Sequence, residues 1–503
     1  MHTFVDPLYR AQQQRPAHVA MVSGDVRLTY AETWSRCRRL AGVLAEFGIE
    51  PGERVAILAA NSHQYLEVYL AIPASARVLV PLNTRHAEAE LRYALEDSGA
   101  RVLITDRDPG ALVQTVERVI RIPDEYEGLL ASAPEADLGV GLTENTLAGL
   151  FYTGGTTGAS KGVMLSHRNL LANTNHWLIA TQQGPGDTYL IMAPLFHAAG
   201  STAILATVWI GGRQLILPAF DPDAALDLIE AERVTVTIGV PTMIAAIAEA
   251  QLARPRDVGS LRLLLHGGSP IATEVVRRAR SAFPGSELIH VYGATEMAPL
   301  ATLLRNEERL VDTDLARSCG QAVAGVDVRI TDQHGRELPA GEIGEVVVRG
   351  PNIMQGYWNK PAETAAALCD GGYRSGDLGL MNARGYVFLV DRAKDMIITG
   401  GENVYCTEVE EVLYAHPAVL EAAVFGVPDA KWGEAVHAVV VPRPGHEVDG
   451  AALIAFCHDR IAGYKTPKQI DVRHDPLPKS GPGKVLKREL RAPFWVGRAG
   501  QIN

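Results

Sequence analysis

Residues 152–162 read "YTGGTTGASKG": four glycines, three threonines and a single lysine in one short run. Glycine weakens helix and strand alike through backbone entropy, and little in the run can pack into a core. The sequence therefore predicts neither helix nor strand here. Such a run exposes backbone N–H groups, adds hydroxyl donors and supplies one cation, Lys161, which is the chemistry of a cradle for anionic oxygens. A surface linker has a similar composition, but the flanks argue against one. "LAGLFYT" (147–153) is strand-like, and "GVMLSHRNLLAN" (162–173) resumes apolar order. The run does not match G-x-x-x-x-G-K-[ST], because Lys161 is followed by Gly162. It does not match G-x-G-x-x-G, because Gly154 and Gly155 are adjacent. A phosphate site here is built in another way.

Working outward, β-branched runs alternate with helical patterns. "RVAILAA" (54–60), "RVLVPLN" (77–83) and "RVLITD" (101–106) read as strands. "TYAETWSRCRRLAGVLAEFG" (29–48) and "HAEAELRYALEDSG" (86–99) read as helices ending at glycine. The middle of the chain continues the alternation through "RQLILP" (213–218), "ALDLIEAERV" (225–234), "VTVTIGVP" (234–241), "LRLLLHGG" (261–268) and "ELIHVYG" (287–293). Alternation of this kind implies α/β layers. From about residue 326, "VDVRITDQHGRELPAGEIGEVVVRG" reads as strands and turns, and beyond "YVFLVDRAKD" (386–395) comes a compact α+β stretch. The expected fold is α/β: a large N-terminal α/β domain over 1–391 with layered sheets and a β-rich subdomain, then a small mobile α+β domain over 392–503.

The chain has 503 residues, a net charge of −11 and a pI near 5.8. With no basic block, a nucleic-acid partner is not expected. Five cysteines are scattered without a C-x-x-C pair, which predicts no zinc or disulfide framework and a cytoplasmic location. The N-terminus lacks the pattern of a signal peptide, and no apolar run is long enough for a transmembrane segment.

Several further motifs share the logic of the glycine loop. "VYGATE" puts Tyr292, Gly293, Thr295 and Glu296 just after a strand, where α/β proteins place ligands, and a carboxylate there could hold Mg2+ beside phosphates. "YRSGDLG" displays Asp377 on a tight glycine turn, suited to accepting ribose hydroxyls. Arg392 in "DRAKD" is a second ribose or phosphate partner, and Lys484 follows the Gly/Pro loop of "PKSGPGK".

Taken in order, these motifs make the chain resemble the acyl-adenylate-forming superfamily: acyl-CoA synthetases, including aryl-CoA ligases of the 4-coumarate or feruloyl type, firefly luciferase and peptide-synthetase adenylation domains. The resemblance runs from "LTYAE" (28–32) to "GKVLKREL" (483–490). The superfamily's loop reads like YTSGTTG-x-PKG. Gly154 stands here for the usual Ser, Ser160 for the usual Pro, and Cys406 replaces a common Pro after "GGENVY". The resemblance implies that Thr153, Gly154, Gly155, Thr156, Thr157, Gly158 and Lys161 hold the phosphates of ATP. Glu296 would hold Mg2+, and Lys484 would sit between the substrate carboxylate and the α-phosphate. It implies a second half-reaction after a swing about a hinge at Lys394. That swing would bring Gly400 and Gly401 to a channel for the thiol of coenzyme A, with Arg85 and Trp432 as further CoA contacts.

The resemblance also places an acyl pocket at His197, at "GVPTMIAAI" (239–247) with Val240 and Ala246, at "HGGS" (266–269) with Gly267, Gly268 and Ser269, and at "HVYGATEMAP" (290–299). Malonate-activating relatives carry an Arg in the segment that here holds Ala245 and Ala246. A dicarboxylate would leave a buried unpaired charge. The implied activity is ATP-dependent carboxylate–CoA ligation of an apolar monocarboxylic acid, fatty or aromatic. The alternatives are an adenylating enzyme that loads a carrier protein, or a non-catalytic nucleotide-binding protein. The expected partners are the acid, ATP and CoA, and a homodimer is an admitted assembly.

Overall fold

The computed structural model describes residues 3–153, 160–369, 371–392, 395–429, 431–479 and 485–495. The chain divides into two compact units: 1–271 with 275–328 and 348–373, and 272–274 with 329–347 and 374–503.

In the larger unit the apolar runs form two sheets. One has the strand order Gln321–Ala322, Leu300–Leu304, Glu287–Gly293, Leu263–Gly267, Val236–Gly239, Thr188–Ile191, Arg213–Ile216, Val19–Ser23, Val26–Thr29. Its central strands are parallel. They read as near-continuous apolar runs because they are covered on both faces: Leu264, Leu288, Ile244 and Ile247 are shut off from solvent. The second sheet runs Gly356–Tyr357, Lys161–Ser166, Leu147–Thr153, Val78–Pro81, Arg54–Leu58, Val102–Thr105, Arg118–Arg121. The helix Tyr30–Glu46 starts on a reciprocal cap between Thr29 and Glu32. The helix Glu88–Ser98 stops at Gly99 in the left-handed region. Both are the helices expected from the sequence.

The β-rich region is a sheet of Asp327–Thr331, Gly344–Arg349, Gly372–Met381 and Leu368–Cys369, with Val387–Arg392 paired on Gly372–Met381. In the smaller unit, Glu402–Val404, Ile397–Thr399, Gly433–Pro442 and Val419–Asp429 follow one another in a sheet, and Gln469–Val472 runs parallel to Gly433–Pro442. The helices Cys406–Tyr414 and Gly450–His458 add Val409, Leu413, Leu453 and Cys457 to the buried core of that sheet.

Candidate active site

The glycine run is the connection of a β-hairpin. Leu147–Thr153 and Lys161–Ser166 are antiparallel, and Thr153 lies opposite Lys161. The strand expected at 147–153 is present as Leu147–Thr153, while Lys161 and Gly162 are also in a strand, contrary to the expectation for the glycine run, because cross-strand pairing outweighs their weak local preference. The hairpin holds both ends of the loop, and the Thr153 hydroxyl donates to the Lys161 carbonyl at 3.5 Å. Gly154, Gly155, Thr156, Thr157 and Gly158 lie outside the described residues, as do Lys394 and Lys484.

Lys161 is brought to Glu296 through a residue the sequence reading missed. The Lys161 ammonium sits 4.8 Å from the centre of the Tyr357 ring, and the Tyr357 hydroxyl donates to Glu296 Oε1 at 2.9 Å. Burial, then the Glu296 charge, push the Tyr357 phenol up, so it stays a donor. Glu296 is buried and belongs to a short 3-10 turn, Thr295–Met297. That turn is fixed from the far side by Asn352, fully buried, whose amide donates to the carbonyls of Met297 (2.7 Å) and Leu300 (3.0 Å). The Met354 N–H donates to the Glu296 carbonyl at 2.9 Å. A hard carboxylate held by a neutral donor beside a lysine suits Mg2+ near phosphate oxygens. Gly293 ends the strand that leads in from Tyr292. A Cβ there would fall 1.6 Å from the Pro299 carbonyl oxygen, so no side chain fits.

Among the acyl-pocket candidates, Val240 caps the start of the helix Pro241–Ala253, which carries Ala246 half-buried. Gly268 faces Val240: an added Cβ would lie 3.8 Å from its Cγ1. At Gly267 a Cβ would meet the Val291 carbonyl oxygen at 2.4 Å. Ser269 is half-buried beside them. His197 follows the turn at Pro194, and burial lowers its pKa to about 4, so the ring is neutral at pH 7. His266 and His290 lie side by side on the adjacent strands Leu263–Gly267 and Glu287–Gly293 and form a largely buried polar cluster with Glu307, the first residue of the short helix Glu307–Leu310.

In the smaller unit, Asp377 and Arg392 lie opposite each other on paired strands, and Arg392 Nε is 3.2 Å from Asp377 Oδ1. Asp377 is in a strand with an irregular register just beyond it, rather than on the expected tight turn. Gly400 and Gly401 connect the strands Ile397–Thr399 and Glu402–Val404 with φ of 61° and 86°, the geometry of a two-residue hairpin turn that excludes most side chains. Gly400 N–H donates to the Trp432 carbonyl at 2.8 Å, and a Cβ on Gly400 would lie 2.8 Å from the Trp432 ring. Three of the four CoA candidates therefore meet in one place. The fourth, Arg85, is an exposed residue of the larger unit. Cys406 begins the helix Cys406–Tyr414. Its N–H donates to Asp391 Oδ2 at 2.6 Å and its thiol to the Asp395 carbonyl at 3.0 Å. A proline has no N–H for the first of these bonds.

The family model of the AMP-binding enzyme matches residues 8–358, and that of the AMP-binding enzyme C-terminal domain matches 408–484. The chain belongs to the AMP-binding enzyme family, which makes it an enzyme of the acid–thiol ligase class, as expected from the sequence. It is similar to a feruloyl-CoA synthase of an Amycolatopsis species, 43% identical over 97% of this chain and 98% of that one. Among solved structures it is similar to ATP-bound MatB from Rhodopseudomonas palustris, with a TM-score of 0.89 and 34% identity over 97% of this chain and 99% of that one. It is also similar to the o-succinylbenzoate CoA synthetase MenE of Bacillus subtilis in complex with ATP and a magnesium ion, with a TM-score of 0.87 and 30% identity over 96% and 99%. These structures have the mixed α/β fold expected here. Among the described residues no helix is long and apolar enough to cross a membrane.

Proposed function

We propose that the protein activates an apolar monocarboxylic acid, aromatic or fatty, as its acyl adenylate with release of pyrophosphate, and then transfers the acyl group to the thiol of CoA. The observation that carries the reading is the Lys161–Tyr357–Glu296 arrangement at the base of the glycine hairpin. Displacement at phosphorus needs positioning and charge neutralisation more than covalent help. Mg2+, when bound, supplies charge neutralisation for the phosphates, and Glu296 is the residue that would hold it. Lys161 and the loop Gly154–Gly158 hold the triphosphate. Asp377 accepts from the ribose hydroxyls while Arg392 orients its carboxylate. Lys484 offsets the charge of the carboxylate and the α-phosphate as they meet.

In the second half-reaction the small domain, 392–503, turns about Lys394 and presents Gly400, Gly401 and Trp432 to the pantetheine arm, with Arg85 as a further CoA contact. Val240, Ala246, Gly267, Gly268, Ser269 and His197 line the acyl pocket. No cation stands at Ala246 to pair a distal carboxylate, which supports a monocarboxylic acid. The cytoplasm and a homodimer complete the proposal; the five cysteines are all unpaired, which supports the first.

Separating the half-reactions tests the reading. Lys484→Ala is expected to lose acid-dependent ATP–pyrophosphate exchange by orders of magnitude, yet still convert synthetic acyl adenylate and CoA to thioester. Lys394→Pro, with its φ fixed, is expected to keep exchange and lose thioester formation. Folded variants that each lose both half-reactions would refute the two-conformation mechanism. Intact thioester formation in Lys394→Pro would move the hinge and the domain boundary elsewhere.

A further inference from the structure

The turn at Gly400 and Gly401 is carried by a short hairpin, Ile397–Thr399 with Glu402–Val404. A two-stranded hairpin is marginal by itself, so the position of the turn depends on what holds Ile397–Thr399 from its other edge. That edge meets the start of the strand Gly433–Pro442, and three successive residues are held there. Gly400 N–H donates to the Trp432 carbonyl at 2.8 Å. Thr399 lies opposite Gly433, the one registered pair between these strands among the described residues. The third contact is made by a side chain: Ile398 N–H donates to Glu434 Oε2 at 2.9 Å.

The same carboxylate is held from behind by a segment that follows Lys484 in the chain, the helix Lys487–Arg491 and the 3-10 turn Ala492–Trp495. Arg491 Nη2 donates to Glu434 Oε1 at 2.9 Å, and the two side chains are only 16% and 14% exposed. The Arg491 guanidinium lies 4.6 Å from the centre of the Trp495 ring. The Trp495 indole N–H donates to the Gly426 carbonyl at 3.2 Å. Gly426 leaves room for the carboxylate: a Cβ there would lie 2.9 Å from Glu434 Oε1. Arg491 and Trp495 lie beyond residue 484, where the match to the C-terminal family model ends.

A mostly buried ion pair costs much to desolvate and is often no more stabilising than an apolar pair of similar volume. What this one does hold is the backbone two residues before the glycine turn. We infer that Glu434 is a positioning residue for transfer to CoA: it fixes Ile398, and through it the turn at Gly400 and Gly401, while Arg491 and Trp495 fix Glu434. The inference rests on the reading of Gly400, Gly401 and Trp432 as CoA contacts. A misplacement of about 1 Å can cost a reaction about 100-fold. A turn held by so short a ladder is therefore sensitive to one charge-assisted hydrogen bond. On this account the segment after Gly483 serves both half-reactions, the first through Lys484 and the second through Arg491.

The residues flanking Lys484 have anchors of their own. Lys479 and Val485 form an antiparallel bridge, and Lys487 Nζ lies 2.7 Å from Glu410 Oε1. Val485 and Leu490 pack against the cluster of Phe425 and Leu477. Loss of the Glu434 carboxylate is thus expected to reach CoA and spare adenylation.

The test measures three quantities: KM for CoA in thioester formation from synthetic acyl adenylate, acid-dependent ATP–pyrophosphate exchange, and protection of the Ile398 N–H by hydrogen exchange. Glu434→Leu/Arg491→Met removes the ion pair whole. It is expected to raise KM for CoA roughly 10-fold, the scale of one hydrogen bond to a charged group, and to leave exchange within about two-fold. Ile398 protection is expected to fall. Gly426→Ala leaves Glu434 in the chain but pushes its carboxylate aside, and is expected to shift all three readouts in the same directions by less. Glu434→Gln, which keeps an acceptor without the charge, is expected to fall between wild type and the double variant. An unchanged KM for CoA in the folded double variant would overturn the inference and leave the ligase reading intact. An equal fall in both half-reactions, the mark of a merely structural role, would overturn it as well. A wild type that shows exchange but consumes no CoA would overturn the ligase reading and the inference with it.

Discussion

Replacing Tyr357 by Phe removes one hydroxyl and keeps the ring. Lys161 retains the aromatic face 4.8 Å from its ammonium, so the variant isolates the 2.9 Å bond to Glu296. A hydrogen bond to a charged group contributes about 1.5–3 kcal/mol. Glu296 is buried, so water does not readily take the hydroxyl's place. If Glu296 holds Mg2+ while the adenylate forms, kcat/KM for MgATP in acid-dependent pyrophosphate exchange should fall roughly 10- to 150-fold by that bond energy. The loss should be larger at limiting Mg2+ and partly recovered at high Mg2+. Thioester formation from synthetic acyl adenylate should be affected far less, because pyrophosphate has by then departed. Exchange kinetics across a Mg2+ series, with circular dichroism as the control for folding, measure this. Exchange equal to wild type at limiting Mg2+ would refute the coupling of Lys161, Tyr357 and Glu296.

The CoA site gives a second test. Gly400→Ala adds a Cβ 2.8 Å from the Trp432 ring at a φ of 61°, so KM for CoA should rise several-fold and Trp fluorescence should shift while exchange is unchanged. Ala246→Arg should raise kcat/KM for malonate relative to octanoate, measured by CoA consumption; an unchanged ratio would remove Ala246 from the pocket. Stability should fall between pH 6.5 and 4. Burial lowers the pKa of His167 to about 4, and that ring accepts the Phe4 N–H at 3.1 Å through Nδ1. A base with a lowered folded pKa binds more protons when unfolded across that window, so stability rises with pH there and is lost as pH falls. Thermal melts of wild type and His167→Gln over this range check it, the variant being expected to show the shallower slope.

The parallel strands and the glycine-ended helices were legible because each is written in local pattern: an unbroken apolar run buried on both faces, or a Gly just past a helical repeat. The glycine loop, Glu296 and Asp377 were legible as residue types displayed beside strands. The contacts that organise them were not. Tyr357 and Asn352 reach the turn holding Glu296 from more than fifty residues away, and no periodicity records such a meeting. The strand before the loop was legible in "LAGLFYT", but its partner was not, because strand pairing overrides poor local preference at Lys161 and Gly162. Cys406 was visible as a departure from proline, but its use, an N–H given to Asp391, needs the fold. His197 and His290 were named with the acyl pocket, but the meeting of His266 and His290 with Glu307 was not legible, because it joins two adjacent strands to the separate short helix Glu307–Leu310.

The central claim is that one chain performs both adenylation and transfer to CoA. The most direct measurement incubates the purified protein with MgATP and a cinnamate-type acid or octanoate, with and without CoA. Pyrophosphate exchange and acyl-CoA mass are followed together. The account predicts acid-dependent exchange without CoA, and stoichiometric conversion of acid, ATP and CoA to acyl-CoA, AMP and pyrophosphate when CoA is present. Exchange without any consumption of CoA, or no acid-dependent exchange at all, would contradict it.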